Sequence, residues 1–268
     1  MNLTSDFVFS QSSLQSYLNC QYQFYLKYAR QLDWPSALLD PLNAAEIERQ
    51  SGIRFHQLVY NYFLGVPETD LIRQAREDAN PKMTEWLGNF LKSGLFSGDE
   101  TAYPELSVNA SLESFLVSGK FDLLLLDGEK ILIFDWKTSK RPPQSEWLRK
   151  RVQTQLYPLL ARSLHQSRFP GAPIPKIRFT YWEASFPEQS IQFDFEPSDL
   201  QRSQGFIIQL ASEITSKPLD SFDKTLHTER CAYCLFRTYC QRPETDSYNS
   251  ELENELLFTE QYVTDIKE

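Results

Sequence analysis

Lys130-Ile-Leu-Ile-Phe-Asp-Trp-Lys137 reads as an apolar strand that closes on a carboxylate and an ammonium two positions apart. Side chains alternate faces along a strand, so Asp135 and Lys137 share one face and Trp136 takes the other. Upstream, Gly119-Lys-Phe-Asp122 leads into Leu123-Leu-Leu-Leu126, and Asp127-Gly128 between the two apolar runs is the strongest hairpin signal in the chain. The hairpin sets Asp122 on the strand neighbouring Asp135, where two acids can share a divalent ion. Glu105, in Tyr103-Pro-Glu-Leu106 on the preceding strand, supplies a third oxygen. Buried carboxylates need positive compensation, and Mg²⁺, which takes hard oxygen ligands and keeps several waters, suits two or three carboxylates plus a carbonyl such as that of Trp136. A metal held there acidifies bound water and stabilises charge on a phosphate, while Lys137 orients or helps deprotonate the attacking water. Taken alone, these residues are also read as an ordinary strand-end ion pair with Asp122 capping a turn.

Outward from the hairpin the periodicity changes. Leu14, Tyr17, Leu18, Phe24, Tyr25 and Tyr28 predict one helix or two in succession over 10–30, with Ser10 or Ser12 placed to cap it. A further helix is predicted over 44–65, with Ile47, Ile53, Leu58, Val59 and Phe63 inward and an interruption at Gly52, then shorter helices over 68–78 and 82–93. Strands are predicted over 102–110, 112–117, 119–126 and 130–137, a helix over 145–163, strands over 176–184 and 189–195, and a last helix over 198–214 behind Pro197. There is no internal repeat, and the pattern reads as one α/β domain over 1–240 followed by an acidic tail, 241–268.

Of 268 residues 41% are hydrophobic, enough for a sizeable core. No run reaches the roughly 18 apolar residues of a membrane span, and the start lacks a signal-peptide pattern, so a cytoplasmic protein with no membrane partner is expected. A net charge of −9 excludes a global basic field, so any polyanion site must be local. The local candidate lies between Lys137 and Arg151, where Lys140, Arg141, Arg149, Lys150 and Arg151 face only Glu146. A phosphate backbone could be gripped there, although a solvated helix face is the plainer reading of such a run.

Two further patterns join these. Gly52-xxx-His56 puts a histidine on a helix, and Gln153-xxx-Tyr157 puts an amide and a phenol one turn apart on one helix face. In order, Gly52-xxx-His56, Glu105, Gly119-Lys-Phe-Asp122, Asp135-Trp-Lys137 and Gln153-xxx-Tyr157 resemble the successive motifs of RecB-type nucleases of the PD-(D/E)XK superfamily, over about residues 9–240. The resemblance implies a restriction-endonuclease-like mixed central sheet flanked by helices, and hydrolysis of DNA phosphodiesters with Mg²⁺ or Mn²⁺. It implies that Asp122 and Asp135 bind the metal, that His56 completes or adjusts the metal site, that Lys137 is the catalytic lysine, and that Gln153 and Tyr157 position the active site and DNA.

Four cysteines in a reducing compartment are not read as disulfides. Cys231, Cys234 and Cys240 form C-x2-C-x5-C, with Cys20 more than two hundred residues earlier. Such thiolates can grip a metal or cluster, with buried free thiols the alternative. Ser10-x-Ser12-x-Leu14-xx-Tyr17-xx-Cys20 is similar to the N-terminal motif of AddB-like and CRISPR-associated RecB-like exonucleases, in which one early and three late cysteines bind a 4Fe-4S cluster. Gln21 stands where those proteins usually have proline. The resemblance implies an iron-sulfur cluster joining the N- and C-terminal segments, and Zn²⁺ would satisfy the same sulfurs.

The expected function is therefore a metal-dependent DNA nuclease, an exonuclease or flap-type enzyme acting on single-stranded DNA or free ends, in repair, recombination or CRISPR adaptation. No G-x-x-x-x-G-K-[S/T] loop is present, so unwinding calls for a separate helicase. The alternative is a non-catalytic DNA-binding or structural subunit on a nuclease fold; a purely redox cluster protein leaves Asp-x-Lys unexplained. Trp136→Ala is expected to damage packing, and Lys137→Ala to spare the fold.

Overall fold

The computed structural model describes residues 6–32, 44–96, 101–126, 130–234, 236–237 and 239–242. In chain order these form β1 (Val8–Ser10), α1 (Gln11–Asn19), α2 (Gln21–Phe24) running into a π-helical turn at Tyr25–Ala29, α3 (Ala44–Phe63), α4 (Glu68–Glu77), α5 (Met83–Lys92), β2 (Thr101–Leu112), β3 (Phe115–Leu126), β4 (Lys130–Lys137), α6 (Ser145–Lys150), α7 (Val152–Arg168), β5 (Lys176–Glu183), β6 (Ile191–Phe195) and α8 (Pro197–Ser216). The strands make one mixed sheet in the order β1-β3-β4-β5-β6, with β2 paired to β3. β3 and β4 pair antiparallel from Leu123↔Phe134 to Leu126↔Ile131; the Asp127-Gly128 turn and the tail from residue 243 lie outside the described residues. β4 and β5 run parallel from Lys130↔Lys176 to Lys137↔Glu183, and α6 with α7 provides the crossover that a parallel pair requires.

The chain divides into two compact units, one of residues 50–112 and 117–207, the other of 1–49, 113–116 and 208–268. In the first, alternation along the strands sorts side chains by face. Leu123, Leu125, Phe134, Trp136 and Trp182 meet Phe55, Leu58 and Val59 of α3, and Trp86, Leu87 and Phe90 of α5, in one apolar core. Trp136 lies edge-on to Trp182 (5.8 Å) and Phe90 (5.5 Å) and stacks on Phe134 (5.6 Å). α7 covers the other face, where Tyr157 stacks on Phe179 (5.8 Å) and meets Phe121 edge-on (5.0 Å).

The break expected just before Gly119 is absent, because β3 runs straight through residues 118 and 119. A Cβ at Gly119 would lie 2.6 Å from Leu160 Cδ1 and 3.1 Å from Tyr157 Cε1, so the glycine gives α7 its close approach to the sheet. The chain turns instead at Glu113-Ser114, with Glu113 at φ 53°, and the expected strands over 112–117 and 119–126 are one. Gly119→Ala is expected to cost about 1–3 kcal/mol by overpacking, measured by urea unfolding, with part of the loss recovered in Gly119→Ala/Leu160→Val.

The helices also differ from expectation at particular residues. Gly52 does not interrupt α3, whose inward ridge is led by Phe55, while Ile47 is 50% exposed. The single helix expected over 145–163 is two, because Arg151 is extended (φ −67°, ψ 145°). In the second unit, the segment 10–30 breaks at Cys20 (φ −161°, ψ 113°). Ser10 caps α1: its Oγ accepts the Ser13 N–H (3.1 Å), and Ser13 Oγ accepts the Ser10 N–H (2.9 Å). Phe24 stacks on Phe222 (5.9 Å), with Tyr17 edge-on to both, and the Tyr17 hydroxyl donates to Glu213 Oε1 (2.6 Å). Among the described residues no helix is long and apolar enough to cross a membrane.

Candidate active site

The end of β4 is held by side chains from two other elements. Asp122 of β3 accepts the Trp136 N–H on Oδ2 (2.7 Å). His56 of α3 sets Nε2 2.9 Å from the Trp136 carbonyl oxygen, and its Nδ1 lies 3.4 Å from Asp122 Oδ1. A carbonyl only accepts, so Nε2 carries the proton and the ring is fixed with Nδ1 towards the carboxylates. Glu105 of β2 completes the group: one ligand atom from each of His56, Glu105 and Asp122 lies within 4.8 Å of the others. Glu105 has φ 52° in mid-strand, a left-handed conformation that is costly for a residue with a Cβ, and Lys120 Nζ lies 2.8 Å from its Oε2.

Crowded negative charge dominates the electrostatics. Burial and the neighbouring Asp122 raise Glu105, with Lys120 opposing. Burial alone would lower His56, but the carboxylates of Asp122, Glu105 and Asp135 outweigh it and raise the imidazole. Two carboxylates and an imidazole held this closely by strands and a helix fit a small divalent cation, by donor type and by the positive charge the site calls for.

Asp135, expected among the metal ligands, stands beside this trio rather than within it. Lys137 binds its Oδ2, and Gln153 of α7 donates to its Oδ1. Burial raises the Asp135 carboxyl, the lysine counteracts this, and Asp122 adds to it. The Gln153 amide is oriented by the Tyr181 hydroxyl, which donates to its Oε1 (3.4 Å) and shares a 2.7 Å hydrogen bond with Thr154 Oγ1. Tyr157 donates to the Lys120 carbonyl (2.8 Å). Gln153 and Tyr157 thus share a helix face, one reaching β4 and the other β3.

Tyr181, Thr154, Ser139 and Glu183 were not singled out in the sequence. Tyr181-Trp-Glu183 ends an apolar strand on an acid, the pattern of Phe134–Lys137 repeated one strand over, and this was the available signal. Glu183 is the register partner of Lys137, is 1% exposed, and accepts from Ser139 Oγ on Oε1 (3.2 Å). Burial pushes its carboxyl up to about 7 from 4.5, against the opposing pull of Ser139 and Lys137. The folded state therefore holds this proton where the unfolded chain has lost it, and stability attributable to Glu183 falls as pH rises from about 4.5 to 7. Glu183→Gln is expected to flatten that part of the curve in urea unfolding at stepped pH.

Lys140, Arg141, Arg149 and Lys150 of the basic segment are exposed. Lys150 pairs with Glu146 (2.8 Å), and the Arg149 guanidinium lies over the Phe193 ring (4.6 Å). Arg151, expected with them as a phosphate contact, is corrected: it is 4% exposed at the α6–α7 break, its guanidinium over the Trp147 ring (4.6 Å). Its burial sets it apart from the exposed Lys140, Arg141, Arg149 and Lys150.

None of the four cysteines is in a disulfide, and all four line one cavity together with Lys224, Arg230, Arg237 and Arg242. Cys20 Sγ accepts the Thr225 N–H (3.4 Å). Burial pushes the Cys234 thiol up to about 12 and raises Cys240, whose rise Lys224 opposes. Among the described residues the one trio of ligand atoms all within 4.8 Å is His56, Glu105 and Asp122, so the sulfurs do not form a tight tetrahedral group. Zn–S bonds of about 2.3 Å would hold sulfurs about 3.8 Å apart.

A mixed sheet flanked by helices, carrying clustered carboxylates beside a buried lysine at a strand end, defines the nuclease class of phosphodiester hydrolases. The chain belongs to the PD-(D/E)XK nuclease superfamily, whose family model matches residues 8–241. Among solved structures it is similar to one from Eubacterium rectale described as a "Putative exonuclease", with TM-score 0.55, 10% identity and coverage of 91% of each chain. It is less similar to SSO0001, with TM-score 0.43, 13% identity, and coverage of 87% of this chain and 85% of that one. At 10% identity the likeness to the Eubacterium rectale structure is one of fold. No curated protein matches the chain.

Proposed function

We propose that the protein is a RecB-type deoxyribonuclease that uses Mg²⁺ or Mn²⁺ and degrades DNA from free ends. The observation that carries this reading is the convergence of His56, Glu105 and Asp122 within 4.8 Å at the strand end that bears Asp135 and Lys137. His56, Glu105 and Asp122 would hold the cation, with Asp135 at its edge. A cation bound there supplies Lewis acidity towards a phosphate oxygen and acidifies water. Lys137 orients the attacking water and offsets charge on the phosphate as the new P–O bond forms and the bond to the leaving 3′ or 5′ oxygen breaks. Gln153 keeps Asp135 in place, and Tyr157 fixes the Lys120 backbone beside Glu105. Lys140, Arg141, Arg149 and Lys150 would meet the DNA backbone, with an affinity that falls steeply with salt.

The reading extends to a 4Fe-4S cluster on Cys20, Cys231, Cys234 and Cys240. Sulfurs spread around one cavity with four cationic side chains favour a group larger than one zinc ion and negatively charged once ligated. Brown colour and a visible charge-transfer band in anaerobically purified protein test this; colourless protein with stoichiometric zinc overturns it. Action beside a separate helicase, in repair, recombination or CRISPR adaptation, follows from the motif resemblance.

The function is tested with end-labelled single- and double-stranded DNA and Mn²⁺, using wild type and Asp135→Asn. Wild type is expected to shorten labelled strands and Asp135→Asn to leave them intact. Binding without cleavage under every divalent metal makes the chain a DNA-binding subunit, and equal cleavage by both proteins moves the chemistry elsewhere.

A further inference from the structure

The trio, Asp135 and Lys137 leave one buried acid on the same sheet face unused. Glu183 ends β5 level with Lys137, and the two are Cα partners in a parallel pair, so their side chains leave the sheet on the same side. The pairing is locked at its end, because the Ala184 N–H donates to the Lys137 carbonyl (2.7 Å) and the Glu183 N–H donates to Ser190 Oγ (3.1 Å). Glu183 Oε1 accepts from Ser139, two residues beyond Lys137, whereas Oε2 is buried without a hydrogen bond. A carboxylate oxygen buried in that condition is costly unless a cation stands near it. Lys137 is the cation at that level, 2% exposed, its Nζ on Asp135 and 5.7 Å from the centre of the Tyr181 ring.

The three neighbours do different work. Asp135 holds the ammonium from the lysine's own strand, and the Tyr181 ring bounds it from the next strand. A charge on the neighbouring strand, at the lysine's own level, adds a restraint from a second strand on a four-carbon stem with roughly 2 kcal/mol of rotamer entropy. Ser139 extends the restraint to the segment that leaves β4.

We infer that Glu183 is a positioning residue for Lys137, its carboxylate fixing the ammonium between two strands so that it faces the position of the reacting phosphate. The inference rests on the nuclease reading for what Lys137 does, but not for how Lys137 is held. Asp135 without Glu183 leaves the lysine paired yet loosely aimed.

Two measurements at pH 8 test it. In steady-state cleavage with Mn²⁺, Glu183→Gln is expected to lower kcat about tenfold to a hundredfold with KM little changed, the size of loss that a misplacement of about 1 Å produces. Glu183→Asp, which keeps the charge on a shorter stem, should fall between. Lys137→Ala/Glu183→Gln should be no slower than Lys137→Ala, because a residue acting through the lysine has nothing to position once it is gone. Wild-type kcat in Glu183→Gln, or an equal loss in the Lys137→Ala background, overturns the inference. Reductive methylation with peptide mass spectrometry reads the restraint without DNA. Lys137 should label several-fold faster in Glu183→Gln than in wild type, while Lys150, whose side chain is 74% exposed, labels alike in both. If wild type cleaves nothing, the nuclease reading fails and the labelling alone judges Glu183; unchanged Lys137 labelling then overturns the positioning role.

Discussion

Lys137→Ala is expected to lower DNA cleavage by about 10²–10³-fold, the loss that follows removal of one preorganised charge or donor from a developing oxyanion. The structure alters the other half of the sequence expectation, that the fold would be spared. Lys137 is buried against Asp135, with Glu183 at the same level of the next strand. Its removal leaves two buried carboxylates without their cation, and breaking such a pair from one side costs about 3–5 kcal/mol. Both acids already lie above their ordinary range and would rise further. Protonation then relieves the loss, so Lys137→Ala should be closest to wild type in stability near pH 5 and fall behind as pH rises. Cleavage rates paired with urea unfolding at pH 5.5 and pH 8 read both effects. Cleavage at the wild-type rate removes Lys137 from the chemistry, and a pH-independent stability difference removes it from the carboxylate pair.

Trp136→Ala should act almost entirely on the fold. The indole is 1% exposed and sits among Phe90, Phe134 and Trp182, on the face opposite Asp135. Truncating an aromatic side chain in such a core costs about 3–5 kcal/mol, which for a unit of this size lowers Tm by roughly 10 °C. The groups that serve the site at this position are the Trp136 peptide N–H and C=O, and alanine keeps both. Protein that stays folded at low temperature is therefore expected to cleave at a rate much closer to wild type than Lys137→Ala does. Calorimetry and cleavage at 15 °C separate the two variants, and a collapse of kcat without a fall in Tm would show that the indole itself serves the site.

The strand reading was legible because alternation is local. Phe134 to Lys137 show from their order alone that the acid and lysine share a face opposite the tryptophan, and the core is arranged that way. Gln153-xxx-Tyr157 was legible as one helix face for the same reason. Features that depend on distant partners were not. The strand break expected before Gly119 rested on local pattern alone, and only the approach of Leu160 and Tyr157 explains a glycine inside β3. Arg151 belongs to a run of positive charge, and only the break between α6 and α7 turns it inward. Glu183 needed the β4–β5 register, fixed by a parallel pairing across a crossover of nearly forty residues. Asp135 was expected to share the metal with Asp122, and the sequence does not reveal how Lys137 and Gln153 divide its two oxygens.

Asp122 uses one oxygen to hold the β4 backbone and offers the other to His56 and the candidate cation. A substitution there would therefore confound two readouts, because a dead enzyme could be one that lost its metal or one whose strand end had slipped. Asp135 and Lys137 make cleaner inactive controls, provided their folding is followed across pH. The same double duty makes the Trp136 amide a built-in reporter. Its proton is bonded to a carboxylate of the proposed ligand set, so its NMR shift and its hydrogen-exchange rate should register cation arrival before any DNA is added.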